Sequence, residues 1–312
     1  MRAALNQLAE QDPLIDVRQD DRQEIAVSLY GEVQKEVIQA TLERDYGIAA
    51  DFRDTTTVCI ERPVRAGEAE QVIRAETKTN ITGRSSPSST NPFRATLALR
   101  IEPAGVGSGV EFRADVEPRL VPLYLFKTPD VFTTQMEAFV REALVEGLAG
   151  WHVTDCVVTM TECGYSVADG PPSKRGPVSM PGDYRCLTPI VVMDALDQAG
   201  TVVCEPTLRV SLEIPVWAIS AVLKALGRIG AAVRRQTVRG DLTTIETVVA
   251  AARVQELQRQ LPALTAGEGV LESTFHGHRP VRGDAPTRVR TTADPRRREE
   301  YLISLTRQGA RS

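Results

Sequence analysis

The sequence is poor in the residues from which most catalytic and metal centres are built. Three histidines and five cysteines are spread over 312 residues. Cys59, Cys156, Cys163, Cys186 and Cys204 form no C-x-x-C pair. An odd, dispersed set argues against a disulfide framework and against a zinc site. His276 and His278 are too close together and too isolated for a metal shell. There is no G-x-x-x-x-G-K-[ST] phosphate loop, no G-x-S-x-G elbow and no H-E-x-x-H helix, and each of these motifs is what its chemistry needs. No apolar run approaches the ~18 residues that would cross a bilayer. The N-terminal Met1-Arg2-Ala3-Ala4-Leu5-Asn6 passes at once into Gln7 and Glu10, without the apolar core of a signal peptide. The expectation is a cytosolic protein with no catalytic, cofactor or metal residues.

The formal net charge is -4, which disfavours a general nucleic-acid coat protein. Local basic loops remain compatible with RNA contact, because only the nearby field counts there. The composition is otherwise that of a globular protein, and the length leads one to expect two or three domains at ~100–200 residues each.

In chain order, residues 1–10 carry Ala4, Leu5, Leu8 and Ala9 at helical spacing. Two alternating strands follow, over residues 14–17 and 24–29. A helix then places Val33, Val37, Ile38 and Leu42 on one face and stops at Gly47, before a strand over residues 48–52. Helix, strand, strand, helix, strand is a split βαβ unit lacking its first strand, so the expectation is the downstream part of something longer. Residues 55–61 and, more weakly, 72–79 read as strands. Residues 82–92 read as a Ser/Thr/Gly/Pro loop with Arg84 near its end, and 93–103 as an alternating strand. The string Gly105-Val106-Gly107-Ser108-Gly109 would cradle a phosphate only between a strand and a helix. The strand-like segment 110–116 follows it, so a hairpin turn is expected. Phe132, Met136, Phe139, Val140, Leu144 and Leu148 mark an amphipathic helix.

The most informative stretch is 150–189. Its first part reads as a buried strand, with Val153, Val157 and Val158. Residues 165–182 hold Gly170, Pro171, Pro172, Gly176, Pro177, Pro181 and Gly182, a density that breaks regular structure, with Lys174 and Arg175 at the centre. A helix is expected over 186–199, with Pro189 tolerated in its first turn. A long loop on a strand–helix base is a place for binding function; an inert surface insertion is the plainer local reading. From residue 201 on, strand, helix, strand, strand, helix, strand spells a complete split βαβ. The tail beyond His276 is rich in arginine, and Asp294-Pro295 resembles a helix start docked by Tyr301, Leu302 and Leu305. Its arginines could meet phosphate or simply be solvated.

Specific words in this order resemble the C-terminal part of elongation factor G-like translational GTPases, and within them the tetracycline-resistance ribosomal protection proteins. They include Ser28-Leu29-Tyr30-Gly31-Glu32-Val33, Val58-Cys59-Ile60-Glu61-Arg62-Pro63, Asn91-Pro92-Phe93, and Glu146-Gly147-Leu148-Ala149-Gly150-Trp151-His152-Val153-Thr154-Asp155-Cys156. Further matches are Pro177-Val178-Ser179-Met180-Pro181-Gly182-Asp183-Tyr184-Arg185 and Leu261-Pro262-Ala263-Leu264-Thr265-Ala266-Gly267-Glu268-Gly269. The resemblance implies an α+β chain of three modules. Residues 1–53 would be an incomplete ferredoxin-like split βαβ, the family's third domain. Residues 54–200 would be a ribosomal S5 domain 2-like fourth domain, 201–280 a complete ferredoxin-like fifth, and 281–312 a basic C-terminal extension with a tail helix. It also implies a ribosome-binding arm whose fourth-domain loops enter the small-subunit decoding site, contact rRNA and dislodge tetracycline. The residues matching those loops are Asn91, Pro92 and Phe93 in one and Tyr165, Ser166, Pro177, Val178 and Ser179 in the other, with Lys174 and Arg175 placed to neutralise phosphate. Relative to the family there are insertions between Ser166 and Pro177 and across 83–90. The GTPase domains are not matched, so GTP is expected only with those N-terminal domains, which a separate GTPase half could supply. The alternative is a truncated or split-gene fragment without independent activity.

Overall fold

The computed structural model describes residues 1–11, 16–19, 25–28, 32–50, 52, 57–76, 80–167 and 178–309. They fall into two compact units, residues 59–288 and, together, residues 1–58 with 289–312.

In the smaller unit the chain begins with α1 (Arg2–Gln11), β1 (Asp16–Gln19), β2 (Ile25–Ser28) and α2 (Glu32–Tyr46). β1 and β2 pair antiparallel, from Asp16 opposite Ser28 to Gln19 opposite Ile25. Ala4, Leu5, Ile38 and Leu42 form the core, joined by Leu8, Tyr46, Ile48 and Phe52. α2 ends at Gly47, whose φ of 63° lets its N–H reach back to the Glu43 carbonyl, a left-handed glycine cap. Two expectations fail here. Val37 is exposed rather than on the buried face, and the described part of 48–52 forms no strand. Ile48 and Phe52 instead close the core as an irregular segment, and their apolar content alone mimics a strand in the sequence.

The larger unit opens with β3 (Ile60–Pro63), β4 (Gly67–Gln71), β5 (Ile73–Arg74), β6 (Asn80–Thr82), β7 (Ser85–Ser86), β8 (Ala95–Pro103) and β9 (Val110–Ala114). α3 (Leu123–Phe126), α4 (Pro129–Ala143), β10 (His152–Val153), β11 (Cys156–Val167) and α5 (Pro181–Ala199) follow. The first sheet runs β4–β8–β11–β6, with β9 also on β11. β8 buries Ala95, Leu97, Leu99 and Ile101 on one face, as its alternation predicts, and Thr96 and Ala98 on the other are buried too. α4 starts at Pro129, with the Thr128 hydroxyl accepting from Val131 N–H at 3.3 Å, an N-cap. Its stripe Phe132, Met136 and Val140 meets α5 residues Tyr184, Leu187 and Val191 in one core.

β8 and β9 are not a hairpin. β11 lies between them, antiparallel to β8 and parallel to β9. The glycine string therefore spans the width of an inserted strand, a placement invisible in local sequence because it is made by residues about fifty positions downstream. α5 begins at Pro181, so Pro189 is in its interior rather than its first turn. The Thr188 hydroxyl donates to the Tyr184 carbonyl at 2.7 Å in this part of the helix.

The unit closes with β12 (Thr201–Pro215), α6 (Ile219–Arg228), β13 (Ala232–Arg239), β14 (Leu242–Ala250), α7 (Ala251–Thr265) and β15 (Val270–Pro280). β12 pairs with β14 and β15, and β13 with β14, all antiparallel. The N-terminal end of β12 also pairs with β3, which pairs with β10. Val210, Leu212, Ile214, Val222, Leu226, Ile245, Val249, Val254, Leu257 and Leu261 make the core between this sheet and its two helices. α8 (Arg298–Gly309) belongs to the smaller unit. It starts three residues after Pro295, because Asp294 is spent on a turn, accepting from the Arg296 N–H and its guanidinium. Tyr301 is buried, and Leu302 and Leu305 are half-buried. Among the described residues no helix is long and apolar enough to cross a membrane.

Candidate functional site

β11 carries Tyr165 and Ser166 to the end of the first sheet, where β6 and β8 flank them. The chain returns as Val178 and Ser179 and enters α5. Ser179 is buried, and its polar groups are engaged. Its N–H donates to the Ser166 carbonyl at 3.0 Å, its hydroxyl accepts from Ser166 N–H at 2.8 Å, and that hydroxyl donates to the Arg94 carbonyl. Asp183 adds a second tie. One carboxylate oxygen accepts from Arg94 N–H at 3.0 Å and the other from Met180 N–H at 2.7 Å. The second bond caps α5 with a negative charge at the positive end of its dipole. The two segments singled out in the sequence, 91–93 and 165–179, thus meet through Arg94.

Asn91 is buried as well. Its amide donates to the Ala95 and Val72 carbonyls and accepts from Phe93 N–H, which shapes the turn. Pro92 and Val178 are exposed, and Phe93 and Tyr165 half-exposed. Lys174, Arg175 and Pro177 lie outside the described residues. The expected site residues therefore divide: Asn91, Ser166 and Ser179 hold the surface, while Pro92, Phe93, Tyr165 and Val178 present it.

Sequence reasoning missed a third component. Tyr124, from the short helix α3, donates its hydroxyl to the Ser166 carbonyl at 3.0 Å and the Ser179 carbonyl at 3.1 Å. Its ring lies 5.5 Å from that of Tyr165. Burial pushes the phenol above its ordinary value, so it remains a donor. Leu123 and Met180 are exposed alongside, Met180 by 64 %. Within the apolar run 120–126 only Tyr124 carries a hydroxyl, and that was the signal available. The surface is apolar and aromatic, of a kind that stacks on flat rings. Arg84 adds no free charge, being held by Glu70 at 2.6 Å and Glu162 at 2.9 Å.

Two other stretches noted in the sequence hold the fold instead. The Gly105–Gly109 string does cradle an anion, namely the carboxylate of Asp155. It accepts from Gly109 N–H at 3.1 Å and meets Arg62 at 2.6 Å. Burial pushes this carboxyl up, but the Gly107 and Gly109 amides and the Arg62 guanidinium outweigh it and hold it below the usual aspartate range. Glu61, fully buried, organises the Gly-Leu-Ala-Gly-Trp turn. It accepts from Ala149 N–H at 2.9 Å, Trp151 N–H at 3.0 Å and the Thr201 hydroxyl at 2.7 Å. The Trp151 indole in turn donates to the Pro286 carbonyl at 2.7 Å, and Arg288 stands over its ring.

Burial raises the Cys59 thiol to about 11 and those of Cys156 and Cys163 to about 12, which leaves them unreactive. Among the described residues no group of three or more His, Cys, Asp or Glu could hold a metal ion.

Residues 202–289 match the family model described as elongation factor G C-terminus. The chain is 37 % identical over 312 residues to an oxytetracycline resistance protein of Streptomyces rimosus, covering 99 % of this chain and 43 % of that protein. It is 36 % identical over 283 residues to the tetracycline resistance protein TetM of Streptomyces lividans, covering 90 % of this chain and 40 % of that one. The chain thus spans about two fifths of the length of the curated relatives it matches. A crystal structure of a Thermus thermophilus protein superposes with a TM-score of 0.60 at 19 % identity, over 90 % of this chain and 38 % of that one, a likeness of fold alone.

Proposed function

We propose, from the premise that this chain is an elongation factor G-like C-terminal part, that it is the ribosome-binding arm of a tetracycline-resistance ribosomal protection protein. Its larger unit presents the surface of Pro92, Phe93, Tyr124, Tyr165 and Val178 to rRNA in the small-subunit decoding site. Exposed aromatic and apolar groups stack on unpaired bases there, and Lys174 and Arg175 supply phosphate contacts. Residues 1–53, 54–200, 201–280 and 281–312 are its modules. The first is an incomplete ferredoxin-like fold, the second ribosomal S5 domain 2-like, the third ferredoxin-like, with strand order β15–β12–β14–β13 in its favour, and the last is a basic extension. Binding and displacement are assigned to this chain, and GTP chemistry to none of its residues.

One observation carries the reading. The two loops matched to the drug-displacing surface by sequence are drawn together by Ser179, Arg94 and Asp183, and their exposed residues are apolar. Such preorganisation lowers the ordering cost of entering a crowded RNA site. The relatives' names, oxytetracycline and tetracycline resistance proteins, point to the same class of drug. Co-sedimentation of the chain with ribosomes, with and without tetracycline, tests it. The expected result is association at physiological salt, weakened by Tyr165→Ala and by Val178→Asp, with bound drug released as protein is added. Absence of association would overturn it.

A further inference from the structure

β13 is the last strand of its sheet, and its only strand partner among the described residues is β14. An edge strand offers a row of unpaired backbone N–H and C=O groups. Here the row is Ala-Val-Arg-Arg-Gln-Thr-Val-Arg, exposed at every position but Thr237. Arg234, Arg235 and Arg239 form no ion pair among the described residues. Glu246 lies across the ladder from Arg235 and Asp241 sits in the following turn, yet neither neutralises them. Arg235 and Arg239 project from the same face, about 13 Å apart at ~3.3 Å per residue. Val238 is 56 % exposed. Beyond the strand, Val216 N–H donates to the Asp241 carbonyl at 2.9 Å. That tie brings Trp217, 64 % exposed, to the β13–β14 turn beside exposed Leu242.

We propose that the β13 edge is a docking strand for an acidic, extended segment of a protein partner. The segment adds to the sheet through backbone hydrogen bonds. It sets carboxylates against Arg235 and Arg239, and an apolar side chain against Val238 or Trp217. Charge selects the occupant. The arginines repel a second copy of the same edge and any basic strand, so the edge is closed to self-pairing and open to acid. RNA would use the arginines for phosphate and could stack a base on Trp217, but it would leave the outward backbone N–H and C=O groups and Val238 without partners. The inference does not depend on the decoding-site reading, since the strand belongs to a different sheet from the loop surface.

The test uses the full chain and a fluorescein-labelled, capped peptide of alternating Glu and Val, about as long as the eight residues of β13. Fluorescence anisotropy at physiological salt is expected to show saturable binding. Arg235→Glu combined with Arg239→Glu should weaken it about tenfold or more, as charge reversal does at complementary interfaces, with unchanged circular dichroism. Hydrogen exchange should slow at amides 232–239 and not along β15. No saturation, equal binding of a Lys/Val peptide, or protection on β15 would overturn the proposal. So would tighter binding of oligouridylate that displaces the peptide, or dimerisation of the chain in place of peptide binding.

Discussion

Replacing Tyr124 by Phe removes one oxygen and leaves the ring. Its single proton is shared between two carbonyls, Ser166 at 3.0 Å and Ser179 at 3.1 Å, one on each side of residues 168–177 in the chain. The Ser166 carbonyl keeps a second donor, Ser179 N–H, so its loss is partial. The Ser179 carbonyl must turn to water, which the half-exposed Tyr124 site admits. A typical intramolecular hydrogen bond is worth about 1 kcal/mol net, so the whole substitution should cost about that much. Spread over the larger unit this is a melting shift of only about 2–4 °C. Locally it is sharper: about fivefold in the ratio of closed to open forms of the Ser166–Ser179 hydrogen-bonded pair, here called the clamp. The assay is hydrogen exchange at the Ser166 and Ser179 amides, both held in the clamp. They should exchange faster by that factor while amides of β12 and β14 do not change. Ribosome association should weaken by no more than the same factor, because the variant only lowers the population of the competent surface. Unchanged exchange at both serines would refute the clamp, and a loss of binding far beyond fivefold would mean that the hydroxyl touches the ribosome directly.

Other substitutions separate support from surface. Gly150 has φ 84°, and a Cβ there would lie 2.1 Å from the Arg288 carbonyl oxygen; Gly107, at φ 82°, has open space around it. Gly150→Ala should therefore cost several times the ~1 kcal/mol expected of Gly107→Ala, as read by urea denaturation. Glu61→Ala strands the buried Trp151 N–H and the part-buried Ala149 N–H and Thr201 hydroxyl; a buried donor left unsatisfied costs about 1–3 kcal/mol, and the two part-buried ones less. Glu61→Gln keeps an acceptor for two of the three and should cost less than half as much in the same assay. The Asp155 carboxyl is depressed in the folded state. Its contribution is therefore complete above the ordinary aspartate value of about 3.9 and is lost as pH falls through the lower folded value. Asp155→Asn, which tolerates the residue's φ of 56°, should lower stability at neutral pH and flatten the acid limb of a stability–pH curve; an unchanged limb would show that Asp155 is not the titrating group.

Periodic segments are legible where one face meets a core. β8, α4 and the strand–helix–strand–strand–helix–strand order after residue 201 can be read with errors of a few residues, because burial of Leu97, Leu99 and Ile101 or of Phe132, Met136 and Val140 leaves its spacing in the sequence. Partnership at a distance cannot be read. Nothing local in Gly105–Gly109 says that β11 will slot between β8 and β9, or that Asp155 will fill the glycine nest. Pro189 belongs in a first turn by the general rule, yet the helix continues through it because Tyr184, Leu187, Ile190 and Val191 bury the same face on both sides, and packing outweighs one missing bond. The loop words are recognisable, but their chemistry is mixed. Asn91 and Ser179 look like contact residues in the sequence and are instead buried hydrogen-bonders, while Tyr124 carries no mark beyond its hydroxyl.

That division bears on how such a surface tolerates change. Ser179 makes hydrogen bonds to Ser166 and Arg94 from one buried side chain, so Ser179→Ala removes one of the two ties to Arg94, leaving the Asp183 one, and takes from Ser166 N–H the hydroxyl that accepts it. The cost is about 1–3 kcal/mol for an unsatisfied buried group, and it falls on geometry rather than on any contact. Val178, one residue earlier, is exposed. Val178→Ala should leave urea stability within about 0.5 kcal/mol, so any loss of ribosome binding it causes reports contact alone. If Val178→Ala loosened the clamp, or Ser179→Ala left stability and Arg94 amide exchange untouched, the assignment of holder and presenter would be reversed. In the proposed reading Val178 and Ser179 therefore take different roles in adjacent positions, and conservative substitution at the two should be separable by stability alone.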